Sequence, residues 1–185
     1  MSNWVDLFSQ IELAYTQVAQ LLRGADGLME KRGFSNLVER KGVAIEGSTS
    51  LDRPSWWFPG WVGRFYQPAH SNSEHHILHV GVLLYKRTYD DIQPLEEPVV
   101  TAGIWTFPQE NRNWKYWMMK EWAICSPLPD YGIVVEKEIN RYQVHTNGHL
   151  FAVRLESICC LEDLEKIVIH PLDQLRSEII QQNTD

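Results

Sequence analysis

Apolar residues recur every three to four positions at the start of the chain: Trp4, Phe8, Ile11, Tyr15, Val18 and Leu22, flanked by Leu7, Ala14 and Leu21. That spacing draws one wide stripe along a helix and predicts an element resting on a core. Ser2 or Asn3 can cap its start, and the pattern continues past Gly24 through Leu28 and Met29. Gly33 is a natural stop, because glycine adopts the left-handed backbone that ends helices. The predicted helix covers about residues 3–32.

Beyond Phe34 the period shortens towards two. Val43 and Ile45 alternate with polar neighbours, which predicts a strand over 41–48. Ser55 to Pro68 holds Trp56, Trp57, Phe58, Trp61, Phe65 and Tyr66, interrupted by Pro59-Gly60. Aromatics favour strands and Pro-Gly favours a bend. His76 to Tyr85 is a nearly continuous apolar run with β-branched residues and predicts a central strand. Residues 87–97 are polar and acidic and predict a loop, and Val99 to Phe107 predicts another strand. Residues 114–124 fit both a helix face (Trp114, Trp117, Met118, Trp122) and a strand face. The alternating template matches more apolar positions, so a strand is expected there.

Asn147-Gly148 sits between two alternating runs, the strongest short-range signal for a two-residue hairpin turn. Such a turn pairs Thr146 with His149, Val144 with Phe151 and Tyr142 with Val153 on one apolar face. Residues 157–168 return to helical spacing, with Ser157 as a cap, and Pro171 suits the first turn of a last helix carrying Leu172, Leu175 and Ile179. Strands that no helix separates point to antiparallel pairing. The expected fold is therefore α+β. A single antiparallel sheet of about six to eight strands over residues 41–156 is covered by the N-terminal helix and by C-terminal helices over 157–182, in one domain spanning 1–185.

Charge narrows the possible partners. The chain carries a net charge of -7, and the acidity is uneven. Residues 1–92 hold nine Lys/Arg and ten Asp/Glu; residues 93–185 hold eight and fourteen. This balance disfavours nucleic acid, whose backbone rewards basic surfaces. It fits a solvated acidic face, or a docking surface for a basic partner. The three cysteines, Cys125, Cys159 and Cys160, show no zinc spacing, and two are adjacent, a poor geometry for an intrachain bridge. Reduced thiols in a cytoplasmic, soluble protein are expected. Residues 1–6 lack the basic start of a signal peptide, and no stretch approaches the ~20 apolar residues of a membrane span.

Candidate chemistry is sparse. His75 and His79 could share a metal on a helix; on the expected strand they stand roughly 13 Å apart, too far for one ion. The Asn-Gly turn would put His145 and His149 on opposite faces of its hairpin. Asp130, Glu136 and Glu138 offer carboxylates that could hold magnesium in a metal-dependent hydrolase or nuclease. Against this, Lys137 is adjacent to Glu136 and would face the other way on a strand. A plain reading is a Pro-Asp-Tyr-Gly turn leading into a half-exposed strand. The chain has no Gly-x-Ser-x-Gly elbow and no Gly-rich phosphate loop. The most unusual segment is Pro54 to Trp61, where adjacent Trp56 and Trp57 point to opposite faces of an extended chain. With Trp61, and with Arg53 and Arg64 beside them, they could grip a ligand or partner. The sequence thus favours a non-catalytic binding or interaction protein. Its partner is a protein or a small molecule, it needs no cofactor, and it has the option of a homodimer. The metal-dependent hydrolase is the alternative.

Overall fold

The computed structural model describes residues 4–37, 43–45, 59–69, 76–84, 86–87, 92–93, 95, 97–106, 135–141 and 144–182. Helix α1 runs from Trp4 to Lys31 and ends at Gly33, whose φ of 81° is the left-handed conformation its sequence position predicts. Arg32 and Gly33 close the last turn by donating to the carbonyls of Met29 and Glu30. The apolar stripe is buried only in its second half, at Val18, Leu22, Ala25, Leu28 and Met29.

The strands are β1 (Phe34–Asn36), β2 (Ala44–Ile45), β3 (Trp61–Pro68), β4 (His76–Leu83), β5 (Lys86–Arg87), β6 (Ile92–Gln93), β7 (Val99–Thr106), β8 (Val135–Arg141) and β9 (Val144–Arg154). Seven of them form one antiparallel sheet in the order β1-β3-β4-β7-β9-β8, with β2 also paired to β3. The expected loop over 87–97 holds β6 and the end of β5, which pair as a short two-stranded ribbon of their own. In β2 the inward residue is Ala44; Val43 and Ile45, expected to define the strand, are exposed.

The sheet has two buried faces. On one, Val62, Tyr66, Leu78, Val80, Val82, Val100, Ala102, Ile104 and Phe151 meet α1 and the C-terminal helices. On the other lie Trp61, Phe65, Ile77, Leu83, Val99, Trp105, Leu150 and Ala152, with Leu37 and Leu95 packed against them. Burial on both sides explains why β4 and β7 read as almost unbroken apolar runs.

Asn147-Gly148 is not a turn. Both residues lie inside β9, where Asn147 pairs with Thr106 on one side and Glu138 on the other. Arg141 pairs with Val144, so the reversal falls upstream of the Asn-Gly dipeptide. Ladder bonds from two neighbours override a local turn preference that a lone hairpin would express. The pairings expected across that turn fall with it. His145 and His149 lie on one strand at four-residue spacing, again roughly 13 Å apart. Residues 114–124 lie outside the described residues.

The C-terminus is helical: α2 (Leu161–Leu164), a π-helical turn (Glu165–Ile169) and α3 (His170–Gln182) run on without a break. Cys160, not Ser157, precedes the first turn, and Asp163 Oδ2 accepts from the backbone N–H groups of Cys159 and Cys160 at 3.0 and 3.2 Å. Pro171 has no N–H to give to the carbonyl four residues back, and the wider π turn falls just before it. Leu172, Leu175 and Ile179 are buried as the spacing predicts. Arg32 ties the two ends of the chain together, donating to Asp173 Oδ2 at 2.6 Å and Glu165 Oε1 at 2.7 Å. Its guanidinium holds the Glu165 carboxyl below the usual range.

Candidate functional site

Three adjacent strands carry an aromatic ring and a glycine two residues apart: Trp61-Val62-Gly63, His79-Val80-Gly81 and Gly103-Ile104-Trp105. Alternation sends both ends of each triplet to the second face and the middle residue to the helix-covered face. Gly63 and Gly81 are register partners, and a Cβ on either would strike the indole of Trp61. The indole thus lies flat over bare backbone. Its Nε1 donates to Thr101 Oγ1 at 3.2 Å, and that hydroxyl donates to the Gly81 carbonyl at 3.4 Å.

His79 opposes Gly103, where a Cβ would sit 2.8 Å from the imidazole Cε1; Trp105 opposes Gly148. Trp105 Nε1 donates to His79 Nδ1 at 3.2 Å, which places the imidazole proton on Nε2. The rings of Trp61, Phe65, His79 and Trp105 form a chain with centroids 5.8, 6.2 and 6.3 Å apart. His79 is fully buried, and desolvation lowers its pKa from 6.5 to about 3.

Of the residues proposed to grip a partner, Trp61 is 0% exposed and packs inside this face. Arg64 is 4% exposed and points to the helix-covered side. There Arg64 Nη2 and the Tyr66 hydroxyl both donate to Asp26 of α1, at 2.5 and 3.1 Å, and Asn36 Nδ2 adds a third contact at 3.3 Å. Burial, and then the Asp26 carboxylate, raises the Tyr66 phenol well above its ordinary range. Arg64 Nε and Nη1 find no hydrogen-bond partner among the described residues, so Asp26 compensates the guanidinium. Asp26→Ala should lower stability by about 2–4 kcal/mol, because it strands a buried charge. Urea unfolding measures this, and an unchanged midpoint would show that the pair is not needed.

Trp56, Trp57, Arg53, His75 and Asp130 lie outside the described residues, as do the side chains of Glu136 and Glu138. The backbone of β8 pairs Glu136 with His149 and Glu138 with Asn147. Among the described residues no group of three or more His, Cys, Asp or Glu is placed to hold a metal ion. No described helix is long and apolar enough to cross a membrane.

The site that sequence reasoning missed is a half-open cavity of about 660 Å³ between α1 and the start of α2. One wall is the flank of α1 that bears Ala14, Gln17, Leu21 and Gly24. The other is the segment from Leu155 to Leu161, and Leu84 and Pro98 at the ends of β4 and β7 form the base. Gly24 lets the walls meet: a Cβ there would touch Leu161 Cδ1 at 3.0 Å. Most of the lining is apolar. The polar groups are Gln17, Gln20, the Glu156 carboxylate and the thiols of Cys159 and Cys160. Both cysteines are free and exposed, and Cys160 Sγ donates to Asp163 Oδ2 at 3.2 Å. One sequence signal pointed here. Ala14 and Leu21 widen the α1 stripe beyond what one flat contact requires. Comparison with protein-family models, with curated proteins and with solved structures finds no match to this chain.

Proposed function

We propose that this chain is a non-catalytic binding protein that holds a small amphipathic ligand in the cavity between α1 and α2. The observation that carries this reading is the cavity itself. Its volume of about 660 Å³ lies within the range of small-molecule sites, roughly 300–1,000 Å³. Val18, Leu21, Leu84, Pro98 and Leu155 offer an apolar bed, and Gln17, Gln20 and Glu156 offer a polar end. Among the described lining residues Glu156 is the charged group, so a donor or cationic head suits that end better than a carboxylate. Trp61 and Arg64 are buried and so do not contribute to the contact surface, while Trp56, Trp57 and Arg53 lie outside the described residues.

The neutral fluorophore Nile red is a direct probe. It should bind the full chain at one site, and Ala14→Trp, which fills the cavity from the α1 wall, should weaken binding at least tenfold while leaving the melting temperature in place. Equal binding by both proteins would remove the cavity from consideration. Dodecylamine should displace the probe at several-fold lower concentration than dodecanoate, and Glu156→Gln should erase that difference.

A further inference from the structure

The cavity between α1 and α2 carries two thiols on its wall to which the binding reading gives no task. Cys159 and Cys160 are both free and exposed. They are neighbours in sequence but take separate partners. Cys159 Sγ donates to the Glu156 carbonyl at 3.6 Å, and Cys160 Sγ donates to Asp163 Oδ2 at 3.2 Å. The backbone at Cys160 is extended, which turns adjacent side chains apart, so a bridge between the two sulfurs would require the chain to move. Asp163 Oδ2 also accepts from the backbone N–H groups of Cys159 and Cys160, which fixes the carboxylate beside the Cys160 thiol. These contacts, the thiol first, hold the Asp163 carboxyl below its ordinary range, so it stands ionised as an acceptor at neutral pH.

We infer that Cys160 is a covalent attachment site for a neutral α,β-unsaturated carbonyl compound whose hydrocarbon tail lies in the cavity. The inference rests on the cavity being a ligand site and names the class of ligand. In the addition the Cys160 S–H bond breaks and an S–C bond forms at the β-carbon. The alkene electron pair moves to the α-carbon, which takes the proton. Asp163 is the acceptor that already holds the thiol hydrogen; nothing leaves, and no oxidant, metal or cofactor is consumed. Three features of the lining select this class. The described lining holds no lysine, so it offers no amine to trap an aldehyde as a Schiff base. It holds no arginine or histidine either, and Glu156 disfavours a carboxylate, so a neutral carbonyl compound suits it better than an unsaturated fatty acid. The amides of Gln17 and Gln20 can donate to the carbonyl oxygen, and Val18, Leu21, Leu84 and Leu155 form the bed for the tail.

Trans-2-nonenal and trans-2-butenal carry the same reacting group and differ only in tail length, each added methylene giving about a fourfold gain when buried. Each aldehyde is mixed with the full chain, and the rate of adduct formation, read by intact mass, is divided by its rate with glutathione. Nonenal should gain at least tenfold over butenal, add its whole mass with no loss of water, and map to Cys160 after digestion. Ala14→Trp should remove the gain. Cys160→Ser should remove the adduct and keep the circular dichroism spectrum, since serine is itself a favoured N-cap. Equal normalised rates overturn the inference. So do a gain that survives Ala14→Trp, an adduct that forms as fast in Cys160→Ser, and first addition at Cys125 or Cys159. Nile red in the same samples separates the two readings. A probe that binds while nonenal shows no gain ends the covalent reading alone; a probe that does not bind, with no gain, ends both.

Discussion

Replacing Trp61 with alanine is expected to remove about 3–5 kcal/mol of folding stability, the usual loss when a large buried aromatic is truncated. Three contributions act together. The side chain is 0% exposed, so its whole apolar area returns to water on unfolding. Its Nε1–H satisfies Thr101 Oγ1, which loses its donor. Gly63 and Gly81 have no side chains to collapse into the space, so the cavity remains. Urea unfolding measures the effect as a shift in midpoint at constant slope. The geometry adds a sharper expectation. Gly81→Ala clashes with the indole in the wild-type background but meets an empty space in Trp61→Ala. The double variant should therefore be more stable than the sum of the two single losses predicts. Simple additivity would mean that the ring does not lie over Gly81.

The second large effect is on acid stability. His79 titrates near 6.5 when unfolded and near 3 when folded, chiefly because burial disfavours the cation. Protonation would also turn Nδ1 into a donor facing the donor Trp105 Nε1. As pH falls from 6.5 towards 3, the unfolded chain takes up a proton that the folded chain refuses. Stability then falls across that window and levels below it, by an amount on the order of a few kcal/mol. His79→Gln removes the titration. Comparing the two proteins by urea unfolding between pH 6.5 and 4.5, above most carboxylate titration, isolates this residue. The wild type should lose more stability across that interval than the variant, and the difference between the two profiles belongs to His79. Parallel pH profiles would show that His79 ionises without opening the fold.

The helices and central strands were legible in the sequence because their periodicity is set by burial. Gly33 ends α1 where its position implied, β4 and β7 match the two long apolar runs, and Leu172, Leu175 and Ile179 face the core. The Asn147-Gly148 signal misled because a dipeptide reports a local preference while β7 and β8 impose a ladder on it. The tryptophans were harder for a related reason. Composition shows that rings are abundant but not which ones have glycine neighbours across the sheet. Trp61 faces Gly63 and Gly81 only once the register is known. The cavity was illegible because α1, the ends of β4 and β7 and the Leu155–Leu161 segment each contribute a few ordinary residues, and none carries a local motif. The exposed stripe of α1 was read as core-facing because periodicity identifies an apolar face without saying how far the neighbouring layer extends.

The triplets on β3, β4 and β7 also constrain descent. Trp61, Gly63 and Gly81 cannot drift independently: a side chain gained at either glycine requires a smaller ring, and a smaller ring leaves a void until a glycine changes. Each single step passes through a destabilised intermediate, so the group should be inherited as a block, while Val62, Val80 and Ile104 between them need only remain apolar to pack against the helices. A distant cousin of this chain would then be recognisable from ring-x-Gly, ring-x-Gly and Gly-x-ring on three strands that lie side by side in the sheet.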